Sequence, residues 1–555
     1  MSLPKLLLIS PPAYERLEWR EAQPLGIAYL AAYLRAHGYA LVDLLDASTP
    51  RVLSVDEIAA QAVGYDLVGF SVLSQTMPAA TAAARRIKEV CPGTLIVFGG
   101  HHPTFTHWEL LRDFPCVDAA VRGEGELTLL EMIEVLTRAT SVPDMWVGIL
   151  GVTYRTGDGR IVVNPPRPLV EDLDSVPFPA RDLLPPLEAY PSFFDVINGK
   201  VRTKASIISS RGCPYHCSFC SIVAFYESSP GKPWRDRSVQ NVVDEMESLV
   251  RKHGVSHFEF QDDNFFVQPQ RVLQIAQGLR KRGVDFTFAF LTRSDQICRG
   301  EMYFRPLQEA GLRYVGIGLE SGSEDSLDRL DKGTTPAQNA RALDILRQHG
   351  IGFQVDFIMF EPYTTIADLQ ANLDFMMEHG LYGYFPPLVL TQLELYPGTR
   401  ARAEWEAGHG STDVHSSLRY TFKDSDVAAI KAALDEFQAR CGARWYGLGF
   451  QLLEDIPRLA VQLRQQRGGE GVQLEQQRLL GELQLEFEML SRIPYTLLRR
   501  LLQDGQERGF DHLQPEPYLD GIEAQLTQTV GRVELLRASL LERKPRVGSY
   551  LTPDT

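Results

Sequence analysis

The sequence predicts an α/β protein in three parts: a doubly wound parallel sheet, a partial β/α barrel and a mainly helical domain. Short apolar runs alternate with helical patterns over residues 1–140, and the alternation resumes over 201–400. Such alternation is typical of parallel sheets whose faces are covered by helices. Residues 401–555 show helical spacing, and the chain of 555 residues suffices for roughly three or four domains.

The first series of strand patterns defines the predicted sheet. These patterns are KLLLIS (5–10), ALVDLLDA (40–47), DLVGFSVLS (66–74), TLIVFGG (94–100) and AAVRGEGE (119–126). Between the first two, GIAYLAAYLRAHG (26–38) predicts an amphipathic helix that ends at Gly38. Ligands of doubly wound sheets bind beyond the carboxyl ends of the strands. We therefore expect ligand contacts in the loops that follow these strands.

Residues 141–200 are dense in proline and poor in periodic runs. Their composition predicts a linker that runs over the surface between two domains. Within this linker, GVTYRTGDGRIVV (151–163) predicts a short hairpin that turns through residues 157–159.

A second series of strand patterns begins at residue 204. It consists of KASIISS (204–210), HFEFQDD (257–263), DFTFAFLTR (285–293), YVGIGLES (314–321), GFQVDFIMF (352–360) and YFPPLVLTQLELY (384–396). Six strands separated by helices predict a complete or incomplete barrel, with its chemistry at the carboxyl ends of the strands. Residues 401–555 then predict helices, which form either a plain cap on the barrel or a lid that selects substrate.

Charge and hydropathy exclude several classes of protein. The net charge of −15, without a basic run of five residues, excludes an ordinary nucleic-acid site, because such sites depend on clustered Lys and Arg. The N-terminal apolar run is too short for a secretory signal, and no stretch reaches the roughly 18 apolar residues of a membrane span. We therefore expect a cytoplasmic protein. In a cytoplasmic protein, the seven cysteines predict metal or redox chemistry wherever they cluster.

The cysteines cluster in the stretch RGCPYHCSFC (211–220), at the end of the first barrel strand. Cys213, Cys217 and Cys220 can bind three irons of a cubane cluster and leave the fourth iron open for another ligand. A structural zinc site is the alternative. It requires a fourth ligand, for which His216 is the near candidate.

The C-x-x-x-C-x-x-C spacing resembles that of the radical S-adenosylmethionine superfamily, whose barrel is of the TIM type. The resemblance implies a [4Fe-4S] cluster on the three cysteines and S-adenosylmethionine on the open iron. It implies contacts with S-adenosylmethionine at Phe219, Asp262, Asp263, Arg293, Glu320 and Ser321. Phe219 is expected near the adenine, the aspartates near the methionine amino group, Arg293 near the carboxylate and Glu320 near the ribose. Helix capping by the aspartates and a surface ion pair of Arg293 are the structural alternatives.

The strand-end loops of residues 1–140 resemble the Rossmann-like cobalamin-binding domain, through S-x-L (71–73), the glycine pair 99–100 and RGEGE (122–126). The resemblance implies cobalamin contacts at Ser10, Ser71, Leu73, Ser74, Gln75, Gly99, Gly100, His101, His102, Gly123, Glu124, Gly125 and Glu126. The family's Asp-x-His-x-x-Gly loop is absent, because residues 10–15 read SPPAYE. We therefore expect base-off cobalamin without a protein histidine on cobalt. A simple turn at the glycine pair, in a domain that binds a nucleotide or nothing, is the alternative.

Together, over residues 1 to about 400, these motifs resemble the enzymes that join a cobalamin domain to a radical S-adenosylmethionine barrel. The resemblance implies a methyltransferase: a 5′-deoxyadenosyl radical removes hydrogen from the substrate, and the substrate radical takes methyl from methylcobalamin. The acceptor is an unactivated carbon or a phosphorus. The resemblance also implies an external electron donor such as flavodoxin or ferredoxin. A radical cyclase or rearrangement enzyme and a polar cobalamin methylase are the alternatives.

The substrate is expected to be a small molecule or a peptide, and the sequence does not identify it. Tyr382, Tyr384 and Glu394, near the last predicted barrel strand, are the candidates for substrate contact. A methylthiotransferase is disfavoured, because it carries a second three-cysteine cluster and only Cys91 and Cys116 precede the barrel. A cobalamin carrier without enzyme activity would leave the three-cysteine loop without a role.

Overall fold

The structure is a computed structural model that describes residues 3–13, 22–138, 146–190, 196–197, 200–201, 203–410, 413–415, 420–465 and 470–541. Its first sheet has seven strands in the order β2-β1-β3-β4-β5-β6-β7. The strands are β1 Leu6–Ser10, β2 Val42–Asp46, β3 Leu67–Ser71, β4 Leu95–Gly99, β5 Ala119–Val121, β6 Val152–Arg155 and β7 Ile161–Val163. The first five are parallel, in agreement with the first series of strand patterns.

Five helices cover the two faces of this sheet. They are α1 Leu25–Ala36, α2 Val55–Gln61, α3 Met77–Val90, α4 His101–Asp113 and α5 Glu126–Arg138. Alternate residues of β1 point to opposite faces: Leu6 and Leu8 pack with α1 and α5, whereas Leu7 and Ile9 pack with α2, α3 and α4. A strand that is buried on both faces reads as a continuous apolar run. The prediction of a doubly wound sheet is therefore confirmed.

The predicted hairpin lies at the edge of the first sheet and not in a separate surface linker. β6 pairs antiparallel with β5, and β7 pairs antiparallel with β6. Val152, Thr153 and Tyr154 are buried, so β6 is part of the sheet's packed structure. Residues 164–190 then run to the second sheet with short 3₁₀ turns only. Within the predicted linker, residues 141–145, 191–195 and 198–199 lie outside the described residues.

The second sheet is the partial barrel. The strands from residue 196 onward are β8 Val196–Ile197, β9 Lys200–Val201, β10 Lys204–Ile207, β11 Ser210–Arg211, β12 Arg235–Asp236, β13 His257–Phe260, β14 Thr287–Arg293, β15 Leu312–Glu320 and β16 Gly352–Phe357. Five of them form one parallel sheet in the order β10-β13-β14-β15-β16. β8 pairs with β9, and β11 pairs with β12.

The helices of the partial barrel alternate with these strands. They are α6 Ser221–Glu227, α7 Val239–His253, α8 Pro269–Lys281, α9 Ser294–Arg299, α10 Glu301–Ala310, α11 Glu324–Arg329, α12 Pro336–Gln348 and α13 Ile366–Glu378. The amphipathic pattern of α7 places Val242, Met246 and Leu249 in the core, and the helix ends where Gly254 adopts a left-handed conformation. The prediction of an incomplete β/α barrel is confirmed for the first five strands.

The prediction of a sixth barrel strand over residues 384–396 is wrong. That segment contains a 3₁₀ turn at Leu388–Leu390 and one isolated bridge between Phe360 and Gln392. Pro386 and Pro387 lie within it, and proline has no N–H to donate to a strand ladder. The segment therefore follows the edge of the sheet without pairing along its length.

The C-terminal part is helical, as predicted. Its helices are α14 Arg400–His409, α15 Ser425–Phe437, α16 Ala443–Gln465, α17 Glu470–Arg508 and α18 Glu516–Leu541, with a π-helical turn at Gln438–Gly442. Trp445 is fully buried and donates from Nε1 to the Leu490 carbonyl over 2.9 Å. The helices α15 to α18 share one continuous apolar core with the barrel, and Trp405 of α14 belongs to a smaller apolar cluster. No helix among the described residues is long and apolar enough to cross a membrane.

A buried group of ion pairs joins the two sheets. Arg211, directly before the cysteine loop, contacts Glu124 over 2.8 Å and Glu126 over 2.6 Å. Arg235 contacts Glu124 over 2.9 Å, and all four side chains are nearly inaccessible to solvent. Burial by itself would raise the pKa of Glu124, but Arg211 and Arg235 outweigh this effect, so that its pKa lies below the ordinary value. We call these four residues the interdomain ion cluster.

We expect Arg211→Met to destabilise the protein by about 3–5 kcal/mol at neutral pH, because it leaves Glu124 and Glu126 as buried charges with fewer partners. Arg341→Met is the matched control: its pair with Glu301 is exposed, and we expect a loss of about 0–1 kcal/mol. Urea unfolding, followed by tryptophan fluorescence, measures both. Equal losses in the two variants would contradict a structural role for the cluster.

The stability that Arg211→Met loses also depends on pH in a defined direction. Because the folded-state pKa of Glu124 is lowered, the cluster's contribution is complete above the unfolded-state value of about 4.3 and declines as the pH falls through the folded-state pKa. The stability difference between wild type and Arg211→Met should therefore be largest near neutral pH and shrink in acid.

Candidate functional site

A cavity of about 320 Å³ lies where the carboxyl ends of β3, β4 and β5 face the ends of β10 and β13. We call it the sheet cavity. Eight of the residues predicted to contact cobalamin line it: Ser71, Gly99, Gly100, His101, Gly123, Glu124, Gly125 and Glu126. The barrel contributes Ser210, Arg211 and Asp263. The strand-end loops of the two sheets thus share one ligand-sized space.

Glycine is required at two places in this lining. Gly100 has φ +102°, and an added Cβ would lie 2.8 Å from the carbonyl oxygen of Val72. Gly123 has φ +70°, and an added Cβ would lie 2.8 Å from Ser229 Oγ. The backbone therefore approaches its neighbours more closely than a side chain allows, which leaves a smooth wall for a large ligand.

The polar groups of the sheet cavity fit a ligand with a polar tail. The Tyr29 hydroxyl is buried in this lining and has no hydrogen-bond partner among the described residues. Burial raises its pKa, so that the hydroxyl keeps its proton. Asp263 accepts a hydrogen bond from Gly212 N over 2.7 Å, and burial raises its pKa to about 6. A ligand that supplies hydrogen bonds would satisfy these groups.

The remaining five predicted cobalamin residues lie outside this lining. Ser10 ends β1, and its carbonyl accepts a hydrogen bond from Ala47 N. Leu73, Ser74 and Gln75 form the loop between β3 and α3, in which the Leu73 side chain is half-exposed. The fifth is His102, which is buried near the start of α4 and hydrogen-bonds to this loop.

Ser74 and His102 begin a chain of hydrogen bonds that sequence reasoning missed. Ser74 Oγ lies 2.9 Å from His102 Nδ1, His102 Nε2 lies 3.5 Å from His415 Nδ1, and His415 Nε2 lies 3.2 Å from Asp113 Oδ2. Burial lowers the pKa of His102 to about 3, so its ring is neutral. All four groups are satisfied when Ser74 donates to His102, His102 to His415, and His415 to the carboxylate. No sequence signal links residue 415 to residue 102.

Gln75 links the loop between β3 and α3 to the barrel by hydrogen bonds. Its Nε2 donates to the Tyr396 hydroxyl over 2.6 Å and to Glu394 Oε2 over 3.3 Å. These contacts span more than 300 residues of sequence and join the β3 loop to the segment after the last barrel strand. The loop that the resemblance assigned to cobalamin therefore borders the mouth of the barrel.

The three clustered cysteines follow β11 and end at the start of α6. All three are free thiols, with Cys217 buried and Cys213 and Cys220 partly buried. Gly212 sets the loop's entry, since an added Cβ would lie 1.8 Å from the carbonyl oxygen of Pro233. Backbone hydrogen bonds from Ser218 N to the Leu330 carbonyl and from Ala401 N to the Ser218 carbonyl anchor its middle. The loop is thus held by the barrel from both sides.

The surroundings of the cysteines fit an iron–sulfur cluster. Arg293 Nη1 lies 3.2 Å from Cys217 Sγ, and Asn264 Nδ2 lies 3.7 Å from Cys213 Sγ, so donors face two sulfurs. Burial raises the pKa of Cys213, and that of Cys220 to about 11, so cluster assembly on the loop would release protons. No group of His, Cys, Asp or Glu among the described residues is arranged around one metal ion. A cubane cluster does not require such a group, because each cysteine thiolate binds a different iron of the cluster.

Several of the residues predicted to contact S-adenosylmethionine already have protein partners. Asp262 is buried and accepts hydrogen bonds from Ser209 and Ser210. Asp263 lines the sheet cavity. Arg293 also pairs with Asp295 over 2.9 Å and stacks over Tyr215; this ion pair is buried and is not the surface pair that was the alternative for Arg293.

Glu320 and Ser321 also have protein partners. Glu320 has φ +64°, which is rare for a residue with a side chain, and it pairs with Lys332 Nζ over 2.7 Å. Ser321 donates to Asn372 Oδ1 over 2.8 Å. Sequence reasoning missed two neighbours of Glu320, namely Lys332 and Asp356. Burial and the charge of Glu320 raise the pKa of Asp356 to about 6. Backbone strain at a strand end is a feature of ligand sites.

A second cavity, of about 480 Å³, opens beside the cysteine loop. We call it the barrel cavity. Its described lining consists of Phe219, Phe357, Ile358, Pro386, Pro387, Leu390, Thr391, Gln392, Leu393, Glu394, Tyr396 and Tyr446. Phe219 lies between two of the cysteines, Glu394 and Tyr396 contact Gln75, and Tyr446 belongs to α16. Three parts of the chain therefore meet at this cavity.

Of the three predicted substrate contacts, only Glu394 lines the barrel cavity. The Tyr384 hydroxyl accepts a hydrogen bond from Val355 N over 3.1 Å, which orients it toward β16. Tyr382 packs against Tyr495, and Arg492 lies over its ring. Tyr382 thus contacts the helical domain, whereas Tyr384 is held by the barrel strand β16.

Comparison with known proteins places both halves of the site in families. Residues 20–133 match the model of the B12 binding domain, and residues 207–376 match that of the Radical SAM superfamily. An uncharacterized methyltransferase of Pyrococcus horikoshii is 32% identical over 413 residues, which cover 73% of this chain and 83% of that protein. The anaerobic magnesium-protoporphyrin IX monomethyl ester cyclase of Rubrivivax gelatinosus is 33% identical over 349 residues, which cover 62% of this chain and 60% of that protein.

The fold as a whole also has a known counterpart. The structure of the cobalamin-dependent S-adenosylmethionine radical enzyme OxsB, with aqua-cobalamin and S-adenosylmethionine bound, superposes with a TM-score of 0.69 at 20% identity. The match covers 97% of this chain and 80% of that one. From the two domain matches and the Pyrococcus relative, the chain belongs to the cobalamin-dependent radical S-adenosylmethionine enzymes.

Proposed function

We propose that this enzyme is a methyltransferase that moves a methyl group from S-adenosylmethionine, by way of cobalamin, to an unactivated carbon or a phosphorus of its substrate. One observation supports this most strongly: Phe219 of the cysteine loop and the Gln75 partners Glu394 and Tyr396 line the same cavity. A reaction that uses both cofactors requires that they face one space. The name of the Pyrococcus relative, a methyltransferase, agrees with this proposal.

The chemistry that the cofactors supply when bound is hydrogen-atom abstraction and methyl transfer. The chain's own residues then have three tasks. Cys213, Cys217 and Cys220 hold the cluster, and the glycine-lined sheet cavity holds the tail of cobalamin. The barrel cavity, which Phe219 of the cysteine loop borders, is the space for the reacting groups. Hydrogen-atom transfer needs no general base, so we assign none.

Base-off binding of cobalamin without a protein histidine on cobalt is part of this proposal. Residues 11–13 after β1 contain no histidine, and residues 14–21 lie outside the described residues. His101 lines the sheet cavity, but its ring stacks on Phe225 with centroids 4.3 Å apart. We also propose that a small external protein, of the flavodoxin or ferredoxin type, supplies electrons.

A radical cyclase is the second candidate, because the Rubrivivax relative is named as one and is 33% identical. The two functions differ in their products. The methyltransferase forms equal amounts of 5′-deoxyadenosine and S-adenosylhomocysteine with each methylated product. A cyclase forms 5′-deoxyadenosine without a stoichiometric amount of S-adenosylhomocysteine, so quantifying both compounds separates the candidates.

Replacing Cys213, Cys217 and Cys220 together by alanine should abolish reductive cleavage of S-adenosylmethionine while the protein still binds cobalamin. The reason is that the three thiols are the cluster's ligands and lie outside the sheet cavity. The measurement is 5′-deoxyadenosine formation by anaerobically reconstituted protein with dithionite, together with bound cobalt. The control replaces Cys91, Cys116 and Cys298 by alanine and should keep both properties. Undiminished 5′-deoxyadenosine from the first variant would contradict the proposal.

His102→Phe should weaken the binding of hydroxocobalamin by about 5- to 150-fold. The substitution keeps a ring but leaves Ser74 and His415 without their partner, and a buried group left unsatisfied costs about 1–3 kcal/mol. His107→Phe is the control, since His107 lies on the same helix and bonds instead to Thr153 over 3.1 Å. Equilibrium dialysis measures the affinities of both variants for hydroxocobalamin. Equal affinities would show that the hydrogen bonds from Ser74 through His102 to His415 do not contribute to cobalamin binding.

A further inference from the structure

The guanidinium group of Arg293 is held in place beside a cysteine sulfur. Its Nη1 lies 3.2 Å from Cys217 Sγ, its Nε donates to Asp295 Oδ1 over 2.9 Å, and its Nη2 donates to the Lys332 carbonyl. The guanidinium carbon lies 3.8 Å from the centre of the Tyr215 ring. The Arg293 side chain is only 7% exposed. All three nitrogens therefore have protein partners, and the position of Nη1 next to the sulfur is fixed.

The charges around Arg293 leave a net positive charge on this side of the sulfur. The buried carboxylate of Asp295 pairs with Arg293 and also with Arg299, and it accepts a hydrogen bond from the Tyr215 hydroxyl over 3.1 Å. Two guanidinium groups thus share one carboxylate. Arg299 is largely exposed, so solvent screens its charge. The charge of the buried Arg293 is screened less and acts on the buried Cys217.

The cysteine loop itself supplies part of the support for this arginine. Tyr215 lies between Cys213 and Cys217 in the sequence, its ring stacks on the guanidinium, and its hydroxyl donates to Asp295. The donor that faces Cys213 is the Asn264 amide, which is neutral. The two sulfurs are therefore not equivalent, because a cation faces one of them and an amide faces the other.

A cationic donor next to a cluster sulfur favours the reduced state of the cluster. Reduction adds one negative charge to the cluster and its thiolates, and a positive charge nearby stabilises that added charge. Hydrogen bonds to the sulfurs and the net charge are among the features that set the reduction potential of an iron–sulfur cluster. Reductive cleavage of S-adenosylmethionine starts from the reduced state.

We propose that Arg293 tunes the iron–sulfur cluster through Cys217: it donates to the Cys217 thiolate and raises the reduction potential at which the cluster takes one electron from the external donor. This role differs from the contact with the methionine carboxylate that the family resemblance implies. The inference rests on the proposed function, because it takes Cys213, Cys217 and Cys220 as the ligands of a cluster.

Arg293→Met removes the charge and the hydrogen bond and should lower the reduction potential. We expect the ratio of reduced to oxidised cluster at a fixed potential to fall at least about tenfold, which is about 59 mV for one electron. The measurement is a redox titration of the full-length protein loaded with iron and sulfide, followed by electron paramagnetic resonance of the reduced cluster. Cobalamin is left out because its own signal would overlap, and S-adenosylmethionine is left out because its carboxylate would add a charge.

An unchanged potential in Arg293→Met would overturn the proposal. If the same variant also binds S-adenosylmethionine more weakly in equilibrium dialysis, Arg293 contacts the carboxylate instead.

Two further variants separate a charge effect from a general loosening of the site. Arg293→Lys keeps the positive charge and should recover part of the lost potential. Asp295→Asn removes the negative charge while its Oδ1 still accepts from Arg293, so it should raise the potential. If Arg293→Met fails to bind about four irons, Asp295→Asn decides. An unchanged or lowered potential in Asp295→Asn would overturn the proposal.

Arg299→Met is the matched control, since Arg299 pairs with the same carboxylate from the exposed side. We expect a clearly smaller shift than in Arg293→Met, because solvent already screens the charge of Arg299. Equal shifts in the two variants would mean that the net charge, and not the contact with Cys217, sets the potential, and would overturn the assignment to Arg293.

The outcome can be separated from that of the proposed function. If the wild-type protein binds no iron–sulfur cluster, the proposed function itself fails before any variant is compared. If the cluster forms normally and the Arg293 and Asp295 variants keep the wild-type potential, only the inference about Arg293 fails.

Discussion

The interdomain ion cluster is the interaction on which the arrangement of the site depends. Arg211 immediately precedes the cysteine loop; its partner Glu124 lies in the loop after β5, and its partner Glu126 begins α5. Four charged side chains that are removed from solvent are tolerated only when they are paired, so the two sheets are held in one relation. That relation brings the carboxyl ends of both sheets to the sheet cavity. Without it, a cofactor bound to one domain would have no defined position relative to the other.

The β3 loop forms a second link between the domains. On one side, Ser74 is tied through His102 and His415 to Asp113, and on the other side Gln75 reaches Glu394 and Tyr396. His415 belongs to the segment after α14, which Arg402 ties to the barrel by donating to the Leu395 and Asp413 carbonyls. The same loop therefore touches the cobalamin domain, the barrel and the start of the helical part, and it borders the cavity where chemistry is proposed.

Local patterns predicted most of the fold, because apolar runs and helical periodicity are properties of contiguous residues. The sequence predicts the hairpin at 151–163 but places it in the linker, because its pairing with β5 is non-local. The sixth barrel strand was predicted from an apolar run although Pro386 and Pro387 lie within it. The spacing of the three cysteines was enough to predict the cysteine loop as a cluster-binding site. The roles of Glu124 and Arg293 could not be read from sequence, because their partners lie 87 and 76 residues away in the chain.

The central claim is that one chain holds two metal cofactors at adjoining strand ends. The most direct test is the iron and cobalt content, together with the ultraviolet–visible spectrum, of protein reconstituted anaerobically with iron, sulfide and hydroxocobalamin. The account predicts about four irons, as in a cubane cluster, beside one tightly bound base-off corrin in each chain. About four irons without cobalt would contradict it and would leave the glycine-lined sheet cavity to a different ligand.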